Sequence, residues 1–190
     1  MAESSAKYYV TVFGGSSPRP GDEAYQQAYE LGQLLGTAGF VVLTGGYMGT
    51  MEAVSRGAAE AGGYVIGVTC DEIQSWRPVG PNRWVQEERR YPTLRERLYA
   101  LIDTCDAAIA LPGGVGTLAE IAAMWSQTQV SSAPARPLIL VGSGWEATLL
   151  ALERTMDPYI SEATRALVSF APDVQTAFKV LHSRFLTFGS

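Results

Sequence analysis

The chain has 190 residues, 47% of them hydrophobic, with a formal charge of −5, two cysteines and one histidine. That length and apolar content are enough to bury the full core of one domain. The acidic balance, with no run of Lys or Arg, excludes the electrostatic footprint that binding a nucleic-acid backbone requires.

Met1 to Lys7 contains an acidic residue and lacks the apolar core of a secretory signal, and no later stretch is long enough to span a bilayer. A cytoplasmic location and no membrane partner are expected. Cys70 and Cys105 have no Cys-x-x-Cys spacing and read as buried free thiols, so neither a metal nor a cofactor is expected. The only lysines, Lys7 and Lys179, lie far in sequence from every glycine cluster, which argues against Schiff-base chemistry. No Gly-Lys-Ser/Thr follows a glycine cluster, which argues against a P-loop ATPase. Catalysis by a serine–histidine pair or a histidine-bound metal would require His182 to fold back from near the C-terminus.

In chain order, Tyr8 to Phe13 is β-branched and aromatic and reads as a strand. Gly14-Gly15-Ser16-Ser17-Pro18-Arg19-Pro20-Gly21 breaks it, and Asp22 is placed to cap a helix running to about Ala38. Gly39 ends that helix. Phe40 to Leu43 is a second strand, and Thr44-Gly45-Gly46-Tyr47-Met48-Gly49 a second glycine turn before a helix from Thr50 to Ala61. Tyr64 to Val68 is a third strand. From Thr69 to Pro92 runs a long polar connection with the character of a lid or binding loop.

Thr93-Leu94-Arg95-Glu96 is a capping box that opens a helix to about Asp103. Ala107 to Leu111 is the next strand, and Pro112 to Thr117 a third glycine loop, at the start of a helix reaching about Val130. Pro137 to Val141, Trp145 to Met156, Leu167 to Phe170 and a terminal helix from Pro172 to about Phe185 complete the alternation. Strands alternating with helices imply a single α/β domain over residues 1–190, with residues 1–7 flexible. The expected architecture is a Rossmann-like doubly wound parallel sheet with helices on both faces.

All three glycine loops follow strands, so they share the rim at the strands' C-terminal ends, where such sheets bind ligands. Glycines admit close backbone approach, and the free N–H groups of a first helical turn favour an anion, so a phosphorylated small molecule is the expected guest. A dinucleotide fits less well. The acidic residue that a nicotinamide fingerprint places after the second strand is missing from Leu43-Thr44-Gly45.

Within the third loop, Thr117-Leu118-Ala119-Glu120 admits two readings. Glu120 either closes a capping box on a backbone N–H or points back, as helical side chains do, at a guest on the loop.

Pro112 through Glu120 reads Pro-Gly-Gly-x-Gly-Thr-x-x-Glu, and on this motif the chain resembles the Lonely Guy (LOG) proteins, long misannotated as lysine decarboxylases. Gly14-Gly15-Ser16-Ser17 and Gly45-Gly46-Tyr47-Met48-Gly49-Thr50-Met51 are similar to that family's first and second loops. The resemblance implies hydrolysis of the N-glycosidic bond of cytokinin riboside 5′-monophosphates or AMP, giving free base and ribose 5-phosphate, by a homodimer. It implies a catalytic pair of Glu120 and Arg97, the arginine lying on the helix before the central strand. Gly113, Gly114, Gly116 and Thr117 would then hold the phosphate, with Gly15 and Ser16 adding contacts.

Gly45, Gly46 and Gly49 would contact the sugar, or serve only as turn residues. Arg97 would clamp phosphate or polarise the sugar or base, or else be a solvated arginine paired with Glu96 or a neighbour. Trp76, Trp84 and Met48 are candidates for stacking on a base, with core or interface packing as the alternative. Leu98 stands where the family's Met-x-x-Arg-Lys pattern has its lysine, and Glu52 where plant-type members carry glycine. Similar proteins include a molybdenum-cofactor carrier, so a noncatalytic nucleotide or molybdenum-cofactor carrier is the alternative function.

Overall fold

Apolar runs four or five residues long, each closed by glycine or a polar turn, become buried parallel strands, and the amphipathic stretches between them become the crossover helices. The computed structural model describes residues 8–132 and 135–186, so the flexibility expected of residues 1–7 concerns residues outside this range. The elements are β1 (Tyr9–Phe13), α1 (Glu23–Thr37), β2 (Val41–Thr44), α2 (Thr50–Glu60), β3 (Tyr64–Cys70), α3 (Asp71–Trp76), β4 (Glu87–Tyr91) and α4 (Leu94–Asp103). Then come β5 (Ala107–Ala110), α5 (Val115–Val130), β6 (Leu138–Val141), α6 (Ser143–Thr155), α7 (Glu162–Arg165), β7 (Val168–Ala171) and α8 (Val174–Leu186).

The strands form one parallel sheet of seven in the order β4-β3-β2-β1-β5-β6-β7, the doubly wound α/β arrangement expected. Strand periodicity divides the core in two. Val10 and Val12 of β1 face α1, α2 and α8, whereas Phe13 faces α4, α5 and α6. Thr11 also turns to the second face, where its hydroxyl donates to the Leu101 carbonyl of α4 at 2.7 Å. Order reverses between β1 and β5, so the loops that follow them diverge to opposite faces and leave a crevice at the rim.

The connection from Thr69 to Pro92 is not structureless. β3 runs on to Cys70, α3 follows at once, and Glu87–Tyr91 pairs in parallel with β3 as a seventh strand. Sequence reading misses β4 because four of its five residues are charged. It is an edge strand, where charge is tolerated and opposes pairing with another chain. Its side chains are bound on both faces: Thr69 Oγ1 donates to Glu88 at 2.6 Å, Tyr64 Oη to Glu87 at 3.1 Å and Arg90 Nε to Asp71 at 2.5 Å.

Candidate functional site

The β1, β2 and β5 loops interlock at the crevice through backbone contacts. Gly15 donates its N–H to Pro112 O at 3.2 Å, and its own carbonyl accepts from both N and Oγ1 of Thr50, each at 3.0 Å. Gly49 adopts φ +73°, and a Cβ there would lie 2.6 Å from the Ser16 Cα, so only glycine permits this approach. Asn82 fastens the β2 loop from outside, through N to Gly46 O at 2.7 Å and Nδ2 to Gly46 O and Tyr47 O at 3.0 and 2.9 Å. Trp145 Nε1 donates to Leu111 O at 3.0 Å and fixes the end of the central strand. Neither Asn82 nor Trp145 is legible as a support in sequence, because each acts through backbone carbonyls of a distant segment.

Gly113, Gly114 and Gly116 are exposed, and nothing stands within 4 Å of where a Cβ would sit on the last two. α5 starts at Val115 with Gly114 as its N-cap, and no side chain caps it. The first-turn N–H groups therefore face an open, glycine-walled space suited to an anion. Thr117 is buried, its hydroxyl packed against Gly113.

Glu120 lies one turn too far into α5 to close a capping box. Instead its Oε1 accepts from Arg97 Nη1 at 2.9 Å, and both side chains are 8% exposed. Arg97 Nε donates to Val68 O at 3.0 Å, and Nη2 lies against Gly45, where any Cβ would collide with it and with Met51 Sδ. Arg97 is thus neither solvated nor paired with Glu96, which completes the Thr93 capping box at the head of α4. Burial pushes the Glu120 carboxyl above its ordinary range, with the charge and hydrogen bond of Arg97 opposing.

Gly15 thus packs on Gly113 and Gly49 on Ser16, Gly46 turns beside Gly67 of β3, and Gly45 lies against the Arg97 guanidinium that holds Glu120. Leu98, beside Arg97 on α4, is half-buried against the core cluster that includes Leu101 and Ile121, and supplies no cation. Trp84 lies between the guanidiniums of Arg56 and Arg83, 5.8 and 4.7 Å from its ring, so it packs against α2. Trp76 is 75% exposed, with Arg77 over its ring at 4.9 Å and Arg77 Nη1 reaching Met48 Sδ at 3.5 Å. Trp125 is core, its Nε1 donating to Thr164 O at 2.8 Å, and Tyr29 joins α1 to α2 through Glu60 at 2.6 Å. Among the described residues there is no metal-binding cluster, and no helix is long and apolar enough to cross a membrane.

The model of the SLOG cluster4 family matches residues 7–132. A protein of Oryza sativa subsp. japonica named probable cytokinin riboside 5′-monophosphate phosphoribohydrolase is 31% identical over 86% of this chain and 67% of its own. The cytokinin riboside 5′-monophosphate phosphoribohydrolase of Rhodococcoides fascians is 27% identical over 92% of this chain and 89% of its own. Among solved structures, the molybdenum cofactor binding protein of Rippkaea orientalis superposes with a TM-score of 0.75 at 26% identity, covering 96% of this chain and 99% of that one. On its motif, its fold and these matches, the chain belongs to the SLOG cluster4 family of LOG proteins.

Proposed function

We propose that the protein hydrolyses the N-glycosidic bond of a purine nucleoside 5′-monophosphate, a cytokinin riboside 5′-monophosphate or AMP, releasing free base and ribose 5-phosphate without a metal or cofactor. The observation that carries this reading is a carboxylate buried against a guanidinium directly below an open glycine loop at a helix N-terminus. Phosphate sits on the N–H groups from Gly113 to Thr117, with Gly15 and Ser16 on its other side. The sugar lies over Gly45, Gly46 and Gly49, its anomeric carbon near Glu120.

As the bond to the base breaks, positive charge develops on the sugar and the Glu120 carboxylate stabilises it. The same carboxylate takes a proton from the water that adds to the anomeric carbon, a task for which a raised pKa makes it the stronger base. Arg97 keeps Glu120 ionised and aimed. The base extends toward Met48, Trp76 and Arg77.

Exposed Val115, Leu118, Ala119 and Ala122 form an apolar stripe on α5, opposite its core-facing side. A helix apolar all round belongs in an interior, which supports a homodimer covering this face. Buried free thiols at Cys70 and Cys105, the latter pushed up to about 11 by burial, suit a reducing, cytoplasmic setting.

The test is release of adenine from AMP and, separately, of base from isopentenyladenosine monophosphate. Wild-type protein should release base. Glu120→Gln should be slower by at least about a hundredfold with substrate still bound. A second reading, a noncatalytic nucleotide or molybdenum-cofactor carrier, is favoured by the likeness to the Rippkaea orientalis protein over nearly all of both chains. It requires tight binding with no released base and indifference to Glu120→Gln.

A further inference from the structure

The buried pair at the floor of the crevice is an ion pair, so its two charges cancel, and the neighbouring Leu98 contributes none. A phosphate on the glycine loop would then meet only uncharged backbone and hydroxyl groups unless another cation stands at the rim. Arg19, in the β1 loop, is exposed, and among the described residues no carboxylate pairs with its guanidinium. The nearby acid, Asp22, is occupied with the backbone: its Oδ2 accepts from Arg19 N at 2.8 Å, and its own N–H donates to Arg19 O at 2.9 Å.

That turn is stiff. Pro18 and Pro20 bracket Arg19, fixing two φ angles and restricting the residues before them. The side chain folds back so that Nη1 donates to Ser16 O at 2.9 Å and to Pro18 O at 3.3 Å. Ser16 is the residue packed against Gly49 and adjoins Gly15, which is bonded to Pro112. With Nη1 tied down, the Nε and Nη2 edge makes no hydrogen bond among the described residues, and that edge is the one that grips a phosphate or carboxylate through two parallel bonds. A guanidinium held in place before the ligand arrives loses little entropy on binding.

We propose that Arg19 is a phosphate-binding residue of this site, its Nε–Nη2 edge closing on the substrate's 5′-phosphate from the β1 loop, so that it separates nucleoside monophosphates from unphosphorylated nucleosides. The inference rests on the phosphate seat proposed above, but its test does not require turnover. Wild-type protein and Arg19→Gln are titrated by calorimetry with ribose 5-phosphate and with adenosine, with thermal melting to confirm that the variant folds.

Ribose 5-phosphate should bind the variant at least about tenfold more weakly, as expected for losing hydrogen bonds to a charged group, while adenosine binds both alike. Arg19→Lys should recover part of the loss through charge alone. In base release from AMP, the change should fall on KM more than on kcat. Equal ribose 5-phosphate affinity in wild type and Arg19→Gln would overturn the assignment, as would equal loss of both ligands, which would make Arg19 only a loop tether. If wild type releases no base while the selective loss of ribose 5-phosphate affinity persists, the hydrolase reading fails and Arg19 keeps its role.

Discussion

The buried Arg97–Glu120 pair couples chemistry to stability. Because burial holds the Glu120 carboxyl above its ordinary value, the ionised form that the proposed hydrolysis needs is lost as pH falls through that raised value. Base release should therefore decline on the acid side at a higher pH than an ordinary glutamate would give, as a pH profile of kcat would show. Arg97→Met removes the one influence that lowers the pKa and leaves a carboxylate buried without its partner. The expected loss is about 3–5 kcal/mol at neutral pH. Its sign follows from proton counting: between the unfolded and the raised folded pKa, the native state holds a proton that the unfolded chain has released, so stability falls as pH rises through this window. The deficit of Arg97→Met should thus be smaller at pH 5 than at pH 8 in urea melts, and adding Glu120→Gln should recover part of it. An equal deficit at both pH values would show that the folded variant holds no extra proton on Glu120, so that its carboxylate is not strained by the loss of Arg97.

At the scale of elements, what was legible in sequence followed periodicity, and what was not depended on distant partners. The Thr93 capping box is local and forms as read, whereas the similar Thr117-x-x-Glu120 pattern does not, because α5 already begins at Val115. The Glu120 carboxylate is held instead by Arg97, 23 residues away, whose guanidinium no local pattern locates. β4 was hidden for the opposite reason, as a strand made of charges whose partner is β3 and whose other edge is open. The α1–α2 contact was equally silent. There Gly57 faces Tyr29 O, and Gly32 and Gly36 face Val54 O and Ala58 so closely that a methyl group on any of them would meet backbone. Gly57→Ala should separate the two helices, at a cost of about 1–3 kcal/mol despite its better helix propensity, and lower Tm by a few degrees. As α2 also carries Thr50, which holds Gly15, the variant should bind ribose 5-phosphate more weakly as well as melt earlier. A Gly57→Ala protein as stable as wild type would mean that the helices part without strain.

For the whole molecule, the doubly wound sheet explains why the site is where it is and why one helix is left uncovered. The reversal between β1 and β5 opens the crevice, and α5, which starts at its floor, carries Glu120 inward and Leu118 outward from the same two turns. Ile121, Met124 and Trp125 fill the core beneath, so α5 is apolar on the outside for a reason other than its own fold. Leu118 is 39% exposed and Val115 85% exposed, with Ala119 and Ala122 beside them. A second copy placed on this stripe would bury it and stiffen the helix that carries both the open glycine loop and the Glu120 carboxylate. Leu118→Glu puts a charge where it is solvated in a single chain but desolvated in a pair, so the fold should tolerate it and self-association should not. Sedimentation should find wild type dimeric and Leu118→Glu monomeric, with similar far-UV spectra. A wild-type monomer would rule out a second copy there and leave the stripe unexplained. If the dimer instead survives the charge, it must be built on another face, and α5 owes its rigidity to the chain's own core.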